Sequence, residues 1–330
     1  MGGLSVRTLL AAGLTAAVVA ACTGGETGPD EPSPIRSTPT SGASATTPTP
    51  PPSPPSSSRP EPPAFEVAIA MATIDHLARR IGPRHATSRN YRRAAAWVEK
   101  RFTDLGYDVS RMDVRAPAGN TWGVDVAAGN SPNVIADAPG FDARRPHVVV
   151  GAHLDTVPVA PGAEDNASGI ALMLELARMA SLEAPGLPVR FVAFGAEEPR
   201  GPCDDLHHFG SQEYVRQMGR VQRDALRGMV ALDRVGVRGP EVPLCTGGQG
   251  QRDVLRQLRR AARAAGVPAT VCSTNRASDH WSFERQSLPA ARLGSIPYAG
   301  YHSRRDTPDV VSRNQLVRGG RLMWFWMQRL

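Results

Sequence analysis

The chain has 330 residues, of which 41% are hydrophobic, and a formal net charge of +7. That apolar share excludes a wholly disordered chain. The positive charge is scattered as arginines over predicted helices, with no nucleic-acid motif or aromatic platform beside it, so it reads as a solvated basic surface and not as a nucleic-acid binder.

In chain order, Arg7 precedes an apolar run of 13 residues from Leu9 to Ala21, too short for a membrane span and suited to a signal peptide over 1–21. It ends in Val19-Ala20-Ala21-Cys22, which resembles a bacterial lipobox. Lipidation of Cys22 and anchoring outside the cytoplasmic membrane are expected, against an ordinary cleaved signal with a coincidental cysteine. Residues 22–63 are dominated by Pro, Ser and Thr and cannot bury enough apolar area to offset chain entropy, so an extended tether is expected. The folded domain is then 64–330.

Within it, apolar spacing predicts helices over Ala64 to Ile81 and Thr87 to Leu105, ended by Gly82-Pro83 and Gly106. Residues 107–116 alternate as an edge strand. Strands are expected at Asn133–Ala136, His147–Ala152, Pro188–Ala196, Gly228–Leu232, Glu241–Cys245 and Ala290–Leu293. Helices are expected at Gly169–Ala180, Ser211–Met218, Gln251–Ala265 and Ser312–Gln328. Strands alternating with helices imply one α/β domain: a mostly parallel, mixed sheet with helices on both faces, in three layers. Cys245 and Cys272 each end a short apolar run, so they are the expected disulfide, with Cys203 left over.

The chemistry collects at strand ends, where open α/β sheets bind ligands. His153 follows Val148-Val149-Val150-Gly151-Ala152, Glu197 and Glu198 follow Phe191-Val192-Ala193-Phe194, and Asp233 follows Met229-Val230-Ala231-Leu232. A charge at the end of a buried strand is costly unless paired or metal-bound. Asp155 shares a face with His153 on an extended chain and suits a hydrogen bond to its imidazole. Asp165 precedes a helix, as an N-cap or as a carboxylate able to bridge two metals. The adjacent Glu197 and Glu198 suit a division of labour in which one coordinates and the other moves a proton. His302 offers a late-loop nitrogen. His207 and His208 read as structural.

Taken together, Gly151 to Val157, Gly162 to Gly169, Ala193 to Glu198, Met229 to Gly236, Ser278-Asp279-His280 and Tyr301 to Thr307 resemble the M28 metallopeptidases, secreted bacterial di-zinc aminopeptidases. Asp165 stands twelve positions after His153 in that pattern. The resemblance implies a zinc-exopeptidase fold and two Zn²⁺ ions. His153 and Asp233 would hold one, Glu198 and His302 the other, with Asp165 bridging. It implies Glu197 as general base on a bridging water, Tyr301 as oxyanion donor, Asp155 as partner of His153 with a cis peptide after it, and Asp279 and His280 as support. The implied substrate is a peptide with a free N-terminus and the expected state a monomer.

Arg234 and the long polar stretch from Pro199 to Phe209 depart from the pattern beside the expected cleft. The competing readings are a carboxypeptidase or dipeptidase on the same fold, a glutaminyl cyclase, and a non-catalytic surface-binding lipoprotein.

Overall fold

Runs rich in Val, Ala and Phe pair into one sheet because they are too apolar to face water on either side. In the computed structural model, which describes residues 62–249, 252–294 and 298–330, the main sheet has eight strands. They are β1 (Asp108–Met112), β2 (Asn133–Asp137), β3 (His147–His153), β4 (Val189–Phe194), β5 (Leu226–Leu232), β6 (Val242–Cys245), β7 (Ala269–Cys272) and β8 (Ala290–Leu293). The order across the sheet is β1-β2-β4-β3-β5-β8-β6-β7. The middle four, β4, β3, β5 and β8, are parallel neighbours; β2 runs antiparallel to β4, β1 to β2, and β6 to β8. The signal-like run, Cys22 and nearly all of the tether lie outside the described residues.

The helices are α1 (Val67–Asp75), α2 (Arg89–Asp104), α3 (Ser168–Leu182), α4 (Phe209–Gln217), α5 (Arg220–Ala225), α6 (Asp253–Ala264), α7 (His280–Glu284) and α8 (Arg313–Met327). Alternation along β3 shows the three expected layers. Val148 and Val150 pack into a large cluster with residues of α1, α2, α3, α6 and α8, while Val149 packs with residues of α4 and α7 on the opposite face. In α2, Ser88 accepts the Tyr91 N–H at 3.0 Å, and Tyr91, Ala94, Ala95, Val98 and Phe102 form the buried stripe. Each large apolar chain buried this way contributes about 1.5–3 kcal/mol. Ser168 to Ala177 of α3 is buried throughout, as its apolar circumference requires.

Several details differ from the sequence expectation. The first helix widens after Asp75 into a π-helical turn, His76–Ile81, which stops at Gly82 with φ 78°. The edge run breaks after Met112, and Arg115–Ala116 pairs instead with Gly129–Asn130. A small ribbon joins Gly119–Thr121 to Val124–Val126. Strand β7 and helix α7 were not anticipated. Cys245 and Cys272 are register partners on β6 and β7, with Cα atoms 4.5 Å apart, and form the expected disulfide. Cys203 is free and exposed.

Candidate metal centre

Parallel neighbours deliver their C-terminal ends to one place. His153 closes β3, Glu197 and Glu198 stand in the turn after β4, and Asp233 immediately follows β5. Asp165 reaches the same spot from the loop before α3. That loop turns at Gly162, whose φ is 68° and where a Cβ would collide with Thr156 and the Asp165 carbonyl. Asp306 fastens it: its carboxylate accepts the N–H of Glu164 at 2.8 Å and of Asp165 at 3.1 Å. Arg84, fully buried, donates to the carbonyls of Leu154 (2.7 Å), Pro161 (2.7 Å) and Gly162 (2.9 Å). Burial pushes its guanidinium down to about 10, so it stays charged at neutral pH.

The cis peptide expected after Asp155 is found instead between Asp165 and Asn166. Asn166, not Asp165, does the capping: its Oδ1 accepts the N–H of Gly169 at 3.0 Å and of Arg234 at 3.2 Å, and its Nδ2 donates to Leu232 O at 2.8 Å. This leaves the Asp165 carboxylate free for the centre. Asn166 is fully buried.

The carboxylate of Asp165 lies between two imidazoles. Its Oδ1 is 3.2 Å from His153 Nε2 and its Oδ2 is 3.2 Å from His302 Nε2. On the first side Asp233 Oδ1 stands 3.6 Å from His153 Nε2; on the second, Glu198 Oε2 stands 3.4 Å from His302 Nε2. Two sets of ligand atoms lie within 4.8 Å of one another: His153, Asp165 and Glu198, and His153, Glu197 and Asp233.

Asp155 has a different job from the one expected. The His153 ring nitrogen Nδ1 meets the Asp155 backbone carbonyl at 3.2 Å, whereas the carboxylate is 3.8 Å away. The carboxylate oxygens instead accept the N–H groups of Glu197 at 3.0 Å and Glu198 at 3.1 Å. Asp155 therefore sets the backbone of the glutamate pair.

Charge in the centre is unbalanced. Four buried carboxylates, Asp165, Glu197, Glu198 and Asp233, face two guanidiniums: Arg234, 3.6 Å from Asp165, and Arg292, 2.7 Å from Asp233 Oδ2. Burial, then Asp165 and Glu197, pushes the Glu198 carboxyl well up. Burial would also raise Asp165 and Asp233, but their arginine and histidine neighbours hold both below the usual range. Burial would lower His153, yet Glu197, Asp155, Asp165 and Asp233 hold it well above its ordinary value. Glu198 Oε1 and Asp233 Oδ1 have no hydrogen-bond partner. Carboxylates in excess, unpartnered oxygens and two imidazoles are a donor set that fits divalent zinc.

The centre floors a cleft of about 480 Å³, which Tyr301 and Trp122 also line. Tyr301 stacks on the His302 ring at 3.7 Å between centroids, and Trp122 packs edge-on against that ring at 4.4 Å. The Arg234 guanidinium covers the other neighbour, 4.7 Å from the Tyr301 ring centre. Six non-glycine residues have positive φ among the described residues, and Trp122, His208, Arg234 and His302 of these line the cleft, with Ala196 just before Glu197. Such strained conformations persist where surrounding structure holds a site in place.

All eight residues singled out for the site thus come together. Sequence reasoning missed Arg84, Arg292, Trp122 and Asp306. His208, read as structural, lines the cleft with Nε2 3.3 Å from Glu197 Oε1. The signals available were Asp306 inside the Tyr301 to Thr307 stretch and the arginine at position 292 within an otherwise apolar strand. The stretch from Pro199 to Phe209 forms a short 3₁₀ turn at Asp204–Leu206 and borders the cleft. Asp279 lies buried near Glu197; burial first, then the Glu197 charge, pushes it up to about 7.

Residues 133–327 match the family model for peptidase family M28. Aminopeptidase YwaD of Bacillus subtilis is 30% identical over 203 residues, covering 58% of this chain and 43% of that protein. A probable lipoprotein aminopeptidase, LpqL of Mycobacterium tuberculosis, is 28% identical over 211 residues, covering 52% of this chain and 40% of that protein. The chain thus spans under half the length of these curated relatives. Among solved structures, a zinc aminopeptidase of Bacillus subtilis superposes with a TM-score of 0.68 at 20% identity, over 81% of this chain and 95% of that one. A Bacteroides thetaiotaomicron glutaminyl cyclase superposes with a TM-score of 0.69, also at 20% identity, over 82% of this chain and all of that one. These likenesses establish the fold.

Proposed function

The chain belongs to peptidase family M28, and from that premise we propose that it is a two-zinc aminopeptidase that hydrolyses the first peptide bond of peptides with a free N-terminus. The observation that carries this reading is the Asp165 carboxylate, with one oxygen toward His153 and the other toward His302. His153 and Asp233 would hold one ion, His302 and Glu198 the second, and Asp165 both. Zinc bound there supplies Lewis acidity, polarising a carbonyl and lowering the pKa of water.

The chain's own groups do the rest. Glu197 takes a proton from the attacking water and returns it to the leaving amine, a role worth about 100- to 10,000-fold. The Tyr301 hydroxyl, which burial keeps protonated, donates to the developing oxyanion. Asp155 fixes the two glutamates through their amides, and the carboxylates around the cleft favour a substrate amine over a blocked terminus.

The test is hydrolysis by the zinc-loaded protein of matched peptides with free and acetylated N-termini, with products identified by mass. Release of the first residue from free peptides only, abolished by a chelator, is expected. Glu197→Gln should keep its zinc and lose turnover by about 100-fold or more. A Gln variant at the wild-type rate removes Glu197 from the mechanism. Cyclisation of an N-terminal glutamine without hydrolysis would place the chain with the cyclases, and cleavage at the far end with the carboxypeptidases.

We further propose that the enzyme works outside the cytoplasmic membrane, held by a lipid on Cys22. The lipobox-like sequence and the similarity to a probable lipoprotein aminopeptidase support this. Among the described residues no helix is long and apolar enough to cross a membrane. Cys22→Ser should move the protein from the membrane fraction to the soluble one; unchanged fractionation speaks against the anchor.

A further inference from the structure

The carboxylate that moves the proton in this reading touches a side chain that the reading does not use. His208 Nε2 lies 3.3 Å from Glu197 Oε1, while the other oxygen, Oε2, faces His153 Nε2 at 3.9 Å. His208 is 5% exposed. Its backbone is tied to the glutamate as well: the His208 N–H donates to Glu197 O at 2.9 Å, and the next N–H, of Phe209, donates to Ala196 O at 2.8 Å. The His208 carbonyl in turn accepts the Gln212 N–H at 2.9 Å and the Ser211 hydroxyl at 3.2 Å. These bonds hold the residue at φ 58°, a left-handed conformation that a non-glycine residue keeps only where its surroundings fix it. His207, next to it, turns away and meets the Gly201 carbonyl at 3.2 Å, within its own loop.

We propose that His208 is a positioning residue for Glu197. Its Nε2–H donates to Oε1 and fixes the carboxylate so that Oε2 is the oxygen that takes and returns the proton. The inference rests on the peptidase reading above. Its physical basis is the freedom of a glutamate side chain, whose many rotamers must be frozen and whose two oxygens are equivalent until one is engaged. An imidazole is suited to this duty. It turns one ring nitrogen to the carboxylate, so it orients one oxygen while leaving the second free. A guanidinium would grip both oxygens and, as a fixed cation, weaken the base. The Pro199 to Phe209 stretch thereby does more than border the cleft: it ends by placing a donor on the group that does the chemistry.

Two variants separate positioning from folding. In His208→Gln the amide nitrogen falls where Nε2 lies. In His208→Asn it reaches only as far as Nδ1, although Asn tolerates the left-handed backbone well. For the zinc-loaded protein, His208→Gln should keep kcat within about 3-fold, and His208→Asn should lower it by about 10- to 100-fold, a share of the general-base effect. KM, zinc content and melting temperature should stay at wild-type values in both. Wild-type turnover in His208→Asn, or an equal loss in His208→Gln, overturns the proposal. Ring ¹⁵N spectra of His208 give an answer independent of turnover. The wild type should show a protonated, slowly exchanging Nε2 whose exchange becomes fast in Glu197→Ala; an unprotonated Nε2 in the wild type also overturns the proposal. If the wild type released no N-terminal residue, the peptidase reading would fail while the ring spectrum still decided the contact.

Discussion

At the scale of single residues, the centre depends on buried carboxylates that do not line the cleft. Asp155 and Asp306 each accept two backbone N–H groups, from Glu197 and Glu198 in one case and from Glu164 and Asp165 in the other. An ionised carboxylate is the one common side chain with two acceptor oxygens in a plane, so it can hold two successive amides at once. Asp155→Asn keeps the shape but turns one acceptor into a donor aimed at an N–H. Leaving a buried donor unsatisfied costs about 1–3 kcal/mol. The variant should therefore unfold at lower denaturant concentration, and kcat should fall because the Glu197 backbone is no longer fixed. Unchanged denaturation would mean that the two amides find other partners. His153-Leu154-Asp155 announces a histidine and a carboxylate on one face, and both do lie at the centre. Which atom of Asp155 the imidazole meets depends on where the chain turns after β3, and no spacing encodes that.

At the scale of elements, legibility followed burial. Strands β3, β4 and β5 carry continuous apolar runs because both their faces are covered, and each was readable together with the charged group at its end. Edge strand β7 has Val271 42% exposed, so it carries no such run. Helix α7 has five residues, too few to show a period, yet all are buried. One of its side chains reaches the neighbouring loop. Both oxygens of Glu284 accept the Gly247 N–H, at 2.9 and 3.0 Å, which ties α7 to the loop after β6. Burial pushes this carboxyl from an ordinary 4.5 up to about 7. The folded protein then binds this proton more tightly than the unfolded chain does. Its contribution is complete below pH 4.5 and is lost as pH rises toward about 7. Denaturation of the wild type and of Glu284→Gln across that range should show the wild type losing ground to the variant as pH rises, then a constant difference. A constant difference throughout would mean that α7 is not held by a buried acid.

At the scale of the whole molecule, the fold brings together more buried carboxylates than its arginines can answer. Three neighbouring strands end in acid or imidazole, a fourth carboxylate enters from the loop before α3, and the arginines at positions 234 and 292 answer only two of the four carboxylates, leaving the rest to shifted protons or bound cations. A packed domain of this kind gains its stability from the apolar layers on either face of the sheet and loses some of it at the strand ends. Cations that bind only the folded chain recover that loss by mass action, by about 2.7 kcal/mol for each site held at one hundred times its dissociation constant. The chelated protein should accordingly melt at a lower temperature than the zinc-loaded one, and a zinc titration should restore the higher value with a break at two equivalents. If Asp165 serves both ions as proposed, Asp165→Asn should lower the affinity of both equivalents together. One equivalent lost and the other kept would mean that Asp165 serves a single ion, and melting indifferent to chelation would mean that the arginines and shifted protons alone balance the centre. The stabilising layers and the destabilised strand ends belong to the same strands: the apolar runs that make β3, β4 and β5 central also force their polar continuations into one buried place, so this topology carries a cost that the proposed zinc ions would offset.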